Sequence, residues 1–283
     1  MKNYIYMLLC SAIALTSCYD AATSANDAEQ GTTKNFTFTI KGQFQQDLQT
    51  RAGYLTADGR EMTDLWVMDV VDGRVMQTLH QTPTDSDWGA PQMSLTLGQH
   101  HVMFCASRGQ APEVEGSIIQ WGKVLDTFFC DYDVTVVPTS NGNRAVTLDR
   151  IITQLRTTID DAIPSGTTMI LVEPGQWWNG IDLKDGSLIE AEGAIMIQVA
   201  EQSIGMEGAS VSASWLVPSD EYTTDVTYRA MTGSKVTSTA TAEDVPFLRN
   251  RRTALHGNLF GGQMAGAVQL STEWLTEYDG GTW

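Results

Sequence analysis

The chain has 283 residues, 42% of them hydrophobic, and a formal net charge of −17. That apolar content at this length builds a packed core and excludes a disordered stalk. The acidic balance excludes a nucleic-acid partner, because such binding depends on neutralising phosphates with clustered Lys and Arg, and the one concentrated basic run is Arg249 to Arg252.

Lys2 and the apolar stretch Tyr4 to Leu15 read as the charged and hydrophobic regions of a secretory signal. The stretch is about a dozen residues long, short of the roughly 20 that a membrane-spanning helix needs. It ends in Leu15-Thr16-Ser17-Cys18, which resembles the bacterial lipobox. That resemblance implies removal of residues 1–17 and acylation of Cys18, with diacylglycerol and palmitate chains. Two or more such chains hold a protein stably on a bilayer. Residues 18–34 are polar and lack apolar periodicity, as a flexible leash would. The expected product is a globule of about 265 residues, enough for one large or two medium domains, tethered by lipid outside the cytoplasm.

From residue 35 the dominant period is two. Phe36, Phe38, Ile40 and Phe44 face one way, and Thr37, Thr39, Lys41 and Gln43 the other. Leu65 to Val71 and Val75 to Leu79 flank Asp72-Gly73, a type I′ hairpin signal. Met93, Leu95 and Leu97 alternate up to Gly98. Val102 to Ala106 is a continuous apolar run, predicting a strand buried on both faces, and Tyr132, Val134 and Val136 alternate again. Thr139 to Asn143 is turn-rich and free of apolar residues, which places a boundary there. Leu148, Ile151, Ile152, Leu155 and Ile159 have helical spacing, but Thr153, Thr157 and Thr158 favour a strand with at most a helical turn at its start. Further strands are predicted at 168–172, 195–199, 211–217, 226–230, 236–240 and 265–270. Short strands between turn signals read as an all-β fold of two tandem β-sandwiches, at 35–140 and 141–283.

Cys105 and Cys130 are the cysteines left for the fold. In an exported chain they are a candidate disulfide; two separately buried thiols is the alternative. Adjacent His100 and His101 point to opposite faces of a strand and cannot share a metal. His80 and His256 are far apart in sequence, with no carboxylate or nucleophile at a telling spacing from either. The acid pairs Asp131/Asp133 and Asp160/Asp161 suit strand ends and solvated faces. No enzymatic activity, metal or cofactor is expected. Trp177-Trp178, set between Pro174-Gly175 and Asn179-Gly180, would present two aromatic faces to a glycan if exposed, with Trp88, Trp121 and Tyr132 as further platforms. Packed against a core, the same residues would only close the end of a sandwich.

Three stretches together are similar to the Bacteroidales fimbrillins, the pilin and anchor family of type V fimbriae. One is the lipobox signal with its polar leash and early alternating strand. Another is Val146 to Leu155 followed by Asp161-Ala162-Ile163-Pro164. The most specific is Val245-Pro246-Phe247-Leu248-Arg249-Asn250-Arg251-Arg252-Thr253, leading to His256-Gly257-Asn258-Leu259-Phe260, with Trp274 close to the end. The resemblance implies two transthyretin-like Greek-key sandwiches, assembly by donor-strand exchange, and a role in adhesion. It implies a first strand anchored by Phe36, Phe38, Ile40 and Phe44, and an Arg-specific cut that removes it in polymerising subunits; Arg51 lies where such a cut would fall. Uncut, the chain would keep lipid and strand and serve as an anchor or surface adhesin. Implied partners are other fimbrial subunits, the outer membrane through the lipid, and a host or bacterial surface ligand. The rival reading is a glycan-binding surface lipoprotein using Trp177 and Trp178.

Overall fold

The computed structural model describes residues 32–41, 62–261 and 269–271. Cys18, Phe44 and Arg51 therefore lie outside the described residues. Thr33–Lys41 forms β1, so Thr33 and Lys34, read as the end of the leash, already belong to a strand. Met62–Val71 (β2) and Arg74–Gln81 (β3) make the expected hairpin. Its turn residues Asp72 and Gly73 have φ of 50° and 70°, the paired positive values of a type I′ turn.

Next come β4 (Gln92–Thr96), β5 (Gly98–Arg108), β6 (Glu113–Glu115), β7 (Ile118–Gln120), β8 (Thr127–Val136), β9 (Asn143–Thr147) and β10 (Asp149–Arg150). The later strands are β11 (Ile152–Ile159), β12 (Met169–Pro174), β13 (Trp178–Asp182), β14 (Ser187–Glu190), β15 (Ile195–Gln198), β16 (Ala209–Leu216), β17 (Tyr222–Thr232), β18 (Lys235–Phe247), β19 (Arg252–Gly257) and β20 (Gln269–Ser271). The segment with helical spacing is strand β11, where Thr153 and Thr157 are buried side chains of a pleated surface. Residues 265–268 of the last predicted strand lie outside the described residues.

The strands build two sandwiches. An outer sheet ordered β4-β1-β9 faces a middle sheet ordered β10-β8-β5-β2-β3. Between them Phe36, Phe38, Ile40, Met93, Leu95 and Val146 meet Leu65, Val67, Val102, Phe104, Phe128 and Val134. A long sheet, β20-β19-β11-β16-β13-β7-β6, with β14 paired to β13, faces a four-stranded sheet, β15-β12-β17-β18. The second core lies between these two, around Trp215, Tyr228 and Phe247. The fold class is all-β, as the period-two pattern predicts.

A third core joins the sandwiches. The back of the middle sheet presents Trp66, Met68, Val70, Met103 and Cys105 to Ile119, Trp121, Ile152, Ile181 and Leu216. With both faces covered, the centres of β2 and β5 are apolar at consecutive positions, Leu65 to Met68 and Val102 to Ala106, rather than alternating. The hairpin β6–β7 belongs to the first half of the chain, yet β7 pairs antiparallel with β13 of the long sheet. Conversely β9, just past the turn-rich segment, runs parallel to β1, and Leu148 packs in the first core. The chain passes into the second sandwich beyond β10.

Candidate functional site: the slot filled by the first strand

Alternation in β1 puts Phe36, Phe38 and Ile40 on one face, and each is at most 1% exposed. The opposite face is solvated, with Asn35 and Thr39 exposed. The strand therefore lies in the outermost layer of the first sandwich. Its first half pairs antiparallel with β4, from Thr33 opposite Thr96 to Thr37 opposite Gln92. Its second half pairs parallel with β9, from Thr37 opposite Asn143 to Lys41 opposite Thr147. Past the end of β4, the amides of Phe38 and Ile40 donate to the carbonyls of Pro91 (3.0 Å) and Gly89 (3.1 Å). Each of the three buried side chains contributes roughly 1.5–3 kcal/mol.

The walls and floor of this slot come from the rest of the fold. Phe38 meets Phe104 and Tyr132 edge-on, with ring centroids 5.2 and 6.0 Å apart. Phe36 stacks on Phe38 at 6.0 Å, and the Arg144 guanidinium lies 5.2 Å from its ring centroid. One wall, β4, is tied to the middle sheet by buried His100. Its Nε2 donates to the Thr96 carbonyl (2.9 Å), and its Nδ1 lies 2.7 Å from the Asp69 carboxylate. His101 points the other way, exposed beside Asp133 (2.7 Å) and Asp131 (3.3 Å).

Below the slot, an ionic group joins the two sandwiches. The Asp126 carboxylate forms ion pairs with Arg108 at 3.0 Å and Arg150 at 3.1 Å, all three with side chains under 10% exposed. Arg150 also lies 4.9 Å over the Phe128 ring and donates to Asn250 Oδ1 (2.9 Å). Asn250 thus ties the segment 245–260 to the first sandwich, while other members of the segment bond within the second. Arg249 donates to the Val217 carbonyl (2.9 Å), Arg252 to Gln154, and Thr253 to the Pro246 carbonyl (2.7 Å). The acids at 160 and 161 serve the same segment: Asp160 pairs with His256 at 3.0 Å, and Asp161 accepts the amides of Leu259, Phe260 and Gly261 at 3.0, 2.7 and 2.7 Å. Arg249, Arg251 and Arg252 of the basic run thus all make hydrogen bonds within the chain.

The two cysteines are a correction to the disulfide alternative. Cys105 is opposite Phe129 and Cys130 opposite Phe104 on adjacent strands, so their side chains leave opposite faces of the middle sheet and cannot bridge. Both are free thiols. Complete burial raises the Cys105 thiol far above its ordinary range, with Asp64 adding to the effect. Cys130 is pushed up to about 11 by burial, helped by Asp149 and Asp131. Alkylation of the unfolded chain without reductant should label both, read by peptide mass spectrometry; an unlabelled pair linked by a disulfide would contradict the sheet register.

The aromatic platforms are also placed. Trp177 is 9% exposed within the second core and donates Nε1 to the Gly193 carbonyl. Trp178 packs edge-on to Tyr222 at 5.2 Å. Trp121 is buried and donates to Ser107, while Trp88 and Tyr132 pack against the first core. Trp121 and Trp178 belong to the core between the sandwiches, so the five residues are divided among three cores instead of forming one shared platform. Among the described residues no helix is long and apolar enough to cross a membrane.

No protein-family model matches the chain, and no curated protein matches it. Among solved structures, a candidate polysaccharide-binding protein from Bacteroides thetaiotaomicron is similar at 10% identity, over 79% of this chain and 92% of that one, with a TM-score of 0.49. A candidate adhesin from Bacteroides ovatus is similar at 9% identity, over 81% and 87%, also at 0.49. The fimbrial anchor protein Mfa2 from Porphyromonas gingivalis is similar at 8% identity, over 80% and 91%, at 0.47. Likeness at this level carries nothing about what the chain does.

Proposed function

We propose that the chain is a lipid-anchored surface subunit of a fimbria-type assembly, structural rather than catalytic, which joins its neighbours by strand addition at the slot filled by β1 and so supports adhesion. The observation that carries this reading is the placement of β1. It is the middle strand of an outer sheet, lies close to the N-terminus, and is followed by residues 42–61 before β2 begins. A cut within those twenty residues separates it from every later strand among the described residues. Its departure leaves β4 and β9 as facing edges above three empty apolar pockets, and unpaired edges are strong templates for a partner's backbone. The lipobox-like signal supplies the export and anchoring half of the reading. The packed state of Trp177 and Trp178 weighs against the glycan-binding alternative.

The mature N-terminus of the protein on intact cells tests both halves. Mass spectrometry should find either acylated Cys18, the form of an anchor that keeps its own β1, or Ala52, the form of a polymerising subunit. An unacylated chain that begins at neither position would overturn the proposal.

A further inference from the structure

Resting on that reading of the slot, we infer that it selects its occupant by aromatic rings. It takes an extended segment running parallel to β9, with rings at the positions of Phe36 and Phe38 and an aliphatic side chain at that of Ile40. The features that read those positions all belong to the permanent body of the protein. Phe104 on β5 and Tyr132 on β8 present ring edges to position 38 at 5.2 and 6.0 Å. Such edge-to-face packing rewards a ring beyond the area it buries. Arg144 on β9 lies 5.2 Å from the ring centroid at position 36, and a cation over a π face gains nothing from a leucine. Its guanidinium is held there by the Asn143 carbonyl (2.9 Å) and the Asn141 side chain. Position 40 faces Val146 across the ladder, an aliphatic neighbour.

Gly142 sets how closely the occupant approaches. A Cβ there would run into the Asn35 carbonyl, and its next neighbours are Asn35 C and Phe36 Cα, all three on β1. Its φ lies outside the left-handed region, so alanine meets no backbone strain at this position, only the occupant. The amide of Thr37 donates to the Gly142 carbonyl, so the same residue that makes room also fixes the register. Gly142, Arg144, Phe104 and Tyr132 are thus specificity determinants of the slot.

The test uses the full chain with a specific protease site placed within 42–61, cut after folding. Exchange of its first strand for fluorescein-labelled peptides is followed by anisotropy. One peptide carries the sequence of residues 32–41, one carries Phe36→Leu alone, and one carries Phe36→Leu with Phe38→Leu. The ring-bearing peptide should be retained about tenfold longer than the double-leucine peptide. Arg144→Gln should erase the part of that advantage that arises at position 36 and leave the double-leucine peptide unchanged. Gly142→Ala should speed release of all three by about tenfold or more, since the clash is with backbone. Equal retention of ring and leucine peptides, or unchanged release from Gly142→Ala, overturns ring selection and the register while strand addition survives. Failure of every peptide to enter the cut protein overturns strand addition as well.

Discussion

Phe38→Ala is expected to lower the stability of the first sandwich by about 3–5 kcal/mol, the usual cost of emptying a fully buried phenylalanine site. The ring is 0% exposed and lies between Phe36, Phe104 and Tyr132. Those neighbours come from three different strands, so no single movement closes the cavity. The loss should also be local. Amide exchange should accelerate in β1, β4 and β9, whose ladders depend on the occupant, and stay unchanged in β17 and β18 of the second core. A denaturant titration with exchange mass spectrometry reads both. A uniform loss of protection across both sandwiches would show that β1 is an inseparable part of one cooperative core and not a replaceable strand.

Asp126→Asn is expected to be equally damaging for a different reason. The substitution keeps the shape of the side chain but leaves Arg108 and Arg150 with their charge and without the carboxylate they share. Breaking a buried ion pair by removing one partner costs about 3–5 kcal/mol, because the remaining charge is left uncompensated away from water. Arg150 is also the residue that reaches Asn250 of the second sandwich, so the damage should appear as lost coupling. In calorimetry the first sandwich should melt earlier than in the unsubstituted chain, and further below the second. A variant whose first sandwich melts at an unchanged temperature would mean that this ionic group contributes nothing to holding the sandwiches together.

Much of the fold was legible because one period dominates. In β1 a half-buried strand in an outer sheet needs apolar residues only on alternate positions, and Phe36, Phe38 and Ile40 announce it. The hairpin at Asp72-Gly73 was legible because few residue pairs accept two successive positive φ values. The continuous run at 102–106 pointed correctly to a strand covered on both faces.

What escaped reading depends on contacts distant in sequence. The three-residue strands β6 and β7 are too short for any periodicity, and they exist because β13 supplies a ladder. Strand β9 follows a turn that looks like a boundary, and its parallel pairing with β1 and the burial of Val146 in the first core assign it to the first sandwich. The group formed by Arg108, Asp126, Arg150 and Asn250 spans about half of the chain, and no spacing rule connects its members. Gly142 resembles any loop glycine until the strand it accommodates is in place. The cysteines were undecided from sequence because the question turned on a single step of register across β5 and β8.

The route of the chain between the sandwiches bears on how the molecule would carry load. It leaves the first after β5 to place β6 and β7 in the long sheet, returns as β8, and leaves again from β10 into β11. Tension between the two halves is therefore shared among three covalent crossings and a seam of apolar side chains, where a single linker would have taken all of it. A subunit joined this way resists bending at its waist, and a fibre made of such subunits would yield first at the joints between molecules.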